Sequence, residues 1–134
     1  MGAIQKLKNL LSTHTETREN HIDAALRSHY YKVSNKNAMK ALQEMFQKMD
    51  GFTVKSVSEE HGEIAVQVNK GKKAFMVVTV ISVRPFETAI DFSVTTDTSI
   101  LPTDFGFSRK LVLHMYQELN KSLNYTGSGL NSER

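Results

Sequence analysis

Cysteine is absent from all 134 residues. That single absence removes disulfides, thiolate metal ligands and cysteine nucleophiles together. Tryptophan is absent as well, and proline occurs only twice. No apolar stretch approaches the roughly 20 residues that a membrane-spanning helix needs. The seven glycines never fall into Gly-x-Gly-x-x-Gly or P-loop spacing, so no phosphate cradle is written into the chain. A dominant charge is also missing. Seventeen basic residues stand against 14 acidic ones, a net +3 that defines no partner. What is present is ordinary globular composition, 40% hydrophobic and 23% charged, which excludes a wholly disordered or fibrous chain. The length suits one domain.

Residues 1–11 carry Ile4, Leu7, Leu10 and Leu11 at helical spacing, with Lys6 and Lys8 between them. This amphipathic segment lacks the unbroken apolar run and small-residue cleavage site of an export signal. It also buries too little to anchor a membrane, so peripheral contact by residues 1–11 is not expected. Gly2 is followed by Ala, Ile, Gln and Lys6, without the Ser or Thr that myristoylation prefers. A cytoplasmic location is therefore expected. Residues 1–20 read as this segment plus a polar linker, 21–124 as a single domain, and 125–134, small and polar, as a disordered tail.

Within the domain, His29 to Val33 has the aromatic and β-branched character of a short strand. Ser34 then reads as a helix cap, and Ala38, Met39, Leu42, Met45, Phe46 and Met49 form a stripe of 3.6-residue period. After Gly51 the period changes to two. Phe52–Val54, Ile64–Val68, Ala74–Val83 and Ile90–Thr95 are separated by turn residues, the signature of an antiparallel meander. The nearly continuous apolar run at 74–83 predicts a central strand covered on both faces, by the N-terminal segment or a second subunit. Asp104 is the expected cap of a last helix with Phe107, Leu111, His114 or Met115, Leu119 and Leu123 on its stripe. The expected fold is a two-layer α+β sandwich: a meander of four to five antiparallel strands, with helices over about 34–50 and 104–123 packed on it.

Chemistry is harder to find. His14, His21, His29, His61 and His114 never stand at metal-ligand spacing. No Ser sits in a Gly-x-Ser-x-Gly elbow. Glu59, Glu60 and Glu63 gather at a turn, which is expected to be solvated and to lack the burial that a catalytic carboxylate needs. No catalytic residue, metal ligand or cofactor is predicted, and no enzyme. The basic groups offer a candidate patch: Lys70, Lys72 and Lys73 at one hairpin tip and Arg84 at another loop. Such residues serve nucleic-acid binders when aromatic side chains accompany them. Here Phe75, Phe92 and Phe107 fall in core phase and acids are interspersed, which weighs against nucleic acid.

Ala89-Ile-Asp-Phe-Ser93, a polar stretch, and Thr103-Asp-Phe-Gly-Phe-Ser-Arg109 resemble a family of small uncharacterised bacterial domains. There an Ile-Asp strand leads into Ser-Arg-x-Gly-x-Ser-Asp-x-Gly-x-Asn-Arg and a final helix. Asp104, Gly106 and Arg109 match. Thr98, Ser99, Ile100 and Leu101 depart from the first half, and Ser108 replaces the asparagine. The resemblance implies a fold and no established activity. Independently of it, Asp104, Arg109 and Lys110 form a candidate anion or ligand site, because free N–H groups at a helix start favour negative charge. Three readings follow, in this order: a non-catalytic binding or accessory module acting through a protein partner or as a homo-oligomer; a small-ligand or anion-binding domain at Asp104–Lys110; and a nucleic-acid-associated protein using the basic hairpin residues.

Overall fold

The change of period at Gly51 marks the start of the sheet. In the computed structural model, which describes residues 14–97 and 104–128, four consecutive strands follow it: β3 (Phe52–Ser58), β4 (Glu63–Lys70), β5 (Lys72–Arg84) and β6 (Glu87–Thr96). Each pairs antiparallel with the next, as tight turns between alternating segments require. Before them come β1 (His14–Glu16), a 3-10 turn (Ala24–Leu26), β2 (His29–Tyr31) and helix α1 (Asn35–Lys48); after them come helix α2 (Phe107–Ser122) and β7 (Tyr125–Ser128). The sheet runs β3-β4-β5-β6-β2-β7, and β1 pairs with the far end of β6. β1 and β2 are thus two halves of one broken strand, opposite Ser93–Thr95 and Thr88–Ile90 respectively.

The α+β architecture and the meander are as the sequence predicts, but the sheet has seven strands rather than four or five. The additional strands come from segments with little apolar signal. Residues 14–16 belong to the sheet and not to a linker. Tyr125–Ser128 pairs with β2 where composition suggests a tail. Their pairing is supplied by the exposed edge of β6 and β2, a tertiary cause that local pattern does not carry. The amphipathic segment 1–11, and the tail from 129 onward, lie outside the described residues.

Both helices cover one face. Ser34 Oγ accepts the Asn37 N–H at 3.2 Å and starts α1, which buries Ala38, Met39, Leu42, Met45 and Phe46. α2 buries Leu111, Val112, Met115, Tyr116 and Leu119; Met115, not the exposed His114, continues its stripe. Beneath them lie Ile64, Val66 and Val68 of β4, Met76, Val78 and Val80 of β5, and Ile90, Phe92 and Val94 of β6. The opposite face bears neither helix. Among the described residues Phe75 and Ile81 of β5 are 45% and 50% exposed there, which corrects the core placement of Phe75; the N-terminal segment expected to cover this face lies outside the described residues. Thr79 breaks the odd-numbered phase of this strand, a polar residue that marks the solvent side.

Candidate functional site

The start of α2 is built around Asp104, which is buried. Gly106 takes the capping position with a left-handed φ of 84° and no side-chain bond of its own. Asp104 supplies the missing acceptor from two residues upstream. Its carboxylate accepts Gly106 N–H at 2.9 Å, Ser108 N–H at 3.2 Å and the Thr96 hydroxyl at 2.7 Å. Burial alone would raise its pKa, but these hydrogen bonds outweigh it and hold the carboxyl below its ordinary value. Arg109, one turn on, donates from Nε to Asp23 Oδ2 at 2.9 Å, with a second, longer contact at 3.4 Å. Asp23 also caps the 3-10 turn through Ala25 N–H. Of the three residues proposed for an anion, Asp104 is therefore a helix cap and Arg109 an ion pair. Lys110 is exposed.

The basic patch divides. Lys70 and Lys72 pair directly across the β4–β5 turn, and Lys73 follows. Arg84 stands at the other end of β5, about 40 Å away at strand rise, and pairs with Glu87 at 3.0 Å. Lys72 Nζ donates to the Asp104 carbonyl at 3.2 Å and lies 5.7 Å and 6.0 Å from the centroids of the Phe105 and Phe107 rings. The structure thus joins part of one candidate group to part of the other, and adds Phe105.

A polar seam that sequence reasoning missed occupies the gap between β1 and β2. Asp91 Oδ1 accepts hydroxyls from Thr17 and Ser28, both at 2.6 Å. Burial pushes the Asp91 carboxyl up, and these two hydrogen bonds offset only part of that. Thr17 Oγ1 also accepts Phe92 N–H at 3.0 Å, and Tyr116 OH donates to Ile90 O at 2.7 Å. Beside it His29 stacks on Tyr116, ring centroids 3.6 Å apart, and burial lowers its pKa to about 4. The seam replaces ladder bonds that the broken strand cannot make. In sequence Asp91 shows only polar phase, and Thr17 and Ser28 show nothing.

The sheet face opposite the helices, as the described residues leave it, is a further candidate surface. Phe75 and Ile81 are exposed on it; Val83, at the register shift between Ser82 and Arg84, and Phe86, at the β5–β6 turn, are exposed at the strand's end, the last by 69%. Val77 is half-buried among them. Among the described residues of this face, Tyr30 and Ala89, paired where β2 meets β6, are buried. Polar residues flank it: His14 and Glu16 opposite Thr95 and Ser93, and Gln67 opposite Phe75. Among the described residues no group of three His, Asp or Glu gathers to hold a metal, and no helix is long and apolar enough to cross a membrane. No family model, curated protein or solved structure matches the chain.

Proposed function

We propose that this chain is a non-catalytic binding module that acts by self-association through its uncovered sheet face. One observation carries the reading: the exposed apolar row along β5, Phe75 to Ile81, with a polar border. Contiguous apolar surface with a polar rim is characteristic of protein interfaces. The row is one strand wide, so a twofold axis passing near Thr79 superposes it on itself. That is what an isologous contact between two copies requires. Two such faces pack about 10 Å apart with their strands nearly aligned. The shifted titratable groups support a non-catalytic reading, since Asp104, Asp23 and His29 are each engaged in holding elements together.

Sedimentation velocity over a concentration series tests the proposal. The expected result is a dimer for the native chain and a monomer for Phe75→Asp/Ile81→Asp, with the same far-ultraviolet circular dichroism. A native chain that stays monomeric to the highest attainable concentration overturns it, and so does an undiminished dimer in the double variant.

A further inference from the structure

We infer that the tip of the β5–β6 hairpin, Val83 to Phe86, is a docking element for an anionic lipid surface. The tip carries a conformational cost that another residue would avoid. Arg84 and Glu87 pair across it, which leaves Pro85 and Phe86 as a two-residue turn. Proline first and a left-handed residue second is the type II pattern, whose second position favours glycine. Phe86 stands there instead, at φ 61°, where a bulky side chain is strained. The fold gives the ring little in return, since it is 69% exposed. Strain retained on a side chain that faces solvent points to a role beyond folding.

The surroundings suit a bilayer. Among the described residues, β5 beyond Val80 is paired with β6 alone and runs on for about 13 Å. Every residue from Ile81 to Phe86 is exposed, and Val83 and Pro85 add apolar surface beside Phe86. Arg84 lies within the tip with its side chain 70% exposed, whereas that of its partner Glu87 is 15% exposed. Lys32, also exposed, follows Tyr31, which pairs with Thr88 next to Glu87. Glu63 lies level with Thr79, and Glu59 and Glu60 stand in the turn whose Gly62 meets Val80, so all three are set back along β5. Glu118 of α2 is paired with Lys121. Val83, Pro85 and Phe86 bury far less than the roughly 1,000 Å² that a specific protein interface requires. A bilayer needs no matching shape. The ring and its apolar neighbours enter the headgroup boundary while Arg84 and Lys32 stay with the lipid phosphates.

Flotation of the full chain with vesicles of phosphatidylcholine, or of an equimolar mixture with phosphatidylglycerol, tests this at low salt. The native chain is expected to float with the mixed vesicles at millimolar lipid and not with phosphatidylcholine alone, and added salt is expected to release it. Phe86→Gly is expected to weaken that partition about tenfold. Glycine suits the turn, so this variant is expected to resist denaturant at least as well as the native chain. Lys32→Gln is expected to weaken the partition about fivefold. Phe75→Asp, about 30 Å away along β5, is expected to float as the native chain does, which separates the tip from the association surface. No flotation with the mixed vesicles overturns the proposal. So does a Phe86→Gly variant that floats as well as the native chain, or equal binding to both kinds of vesicle. Lost flotation in Phe75→Asp overturns it too, because the contact would then lie on the sheet face.

Discussion

At the scale of single residues, two buried ionisable groups illustrate opposite solutions to the same problem. Asp104 stays charged because three donors converge on it. Asp104→Ala leaves the α2 start uncapped and the Thr96 hydroxyl without its acceptor. A loss of about 2–3 kcal/mol is expected in urea unfolding. His29 stays neutral because its ring is sandwiched against Tyr116 and Tyr125. Its pKa falls from 6.5 to about 4 on folding, through burial that a hydrogen bond donated to Asn120 only partly offsets. The unfolded chain therefore takes up a proton that the folded chain refuses. Stability is full above pH 6.5 and declines as the pH falls toward about 4, by at most about 3 kcal/mol. His29→Phe keeps the stack and is expected to flatten the profile of melting temperature between those pH values. Asp91 acts in the reverse sense, since its raised pKa makes the charged form the costly one.

At the scale of elements, the turns decide registry. Gly62, between β3 and β4, has φ 67°, and a Cβ built there would lie 2.3 Å from the Val80 carbonyl oxygen. That oxygen belongs to the β5 backbone, which also donates Val80 N–H to Gly62 O at 2.7 Å and so cannot retreat without breaking the contact. Gly62→Ala is expected to cost about 3 kcal/mol in denaturant unfolding. The elements that were legible in the sequence are those with their own periodicity: α1, α2 and the four strands of the meander. β2 was readable too, from the aromatic and β-branched run at 29–33, whereas β1 and β7 are three and four residues long and exist because β6 and β2 offer unpaired backbone. The candidate site divides along the same line. Asp104 as a cap was readable, because capping is local chemistry. The pairing of Arg109 with Asp23, and of Lys72 with Phe105, joins residues far apart in sequence, and no spacing rule reaches them. Phe75 was misplaced for a different reason. Apolar residues fill both phases of the run at 74–83, with Thr79 in one and Ser82 in the other, so polarity alone does not tell the solvent face from the core.

At the scale of the whole molecule, one-sided covering sets how the protein meets its surroundings. Two helices on one face of a seven-stranded sheet leave the other face free of both, and the proposed association surface lies there. The order of the sheet has a further consequence, for time rather than for contact. β3 to β6 pair with their neighbours in sequence, so each closure is short and loses little chain entropy. β2 and β7 stand at opposite ends of the described sequence, and joining them closes a loop around nearly everything else. Such distant pairings form late and slow the overall rate. The meander is the nucleus in this picture, and the β2–β7 edge is the last to close and the first to open. Backbone amides of Tyr125–Ser128 then exchange with solvent through openings that leave the central strands intact.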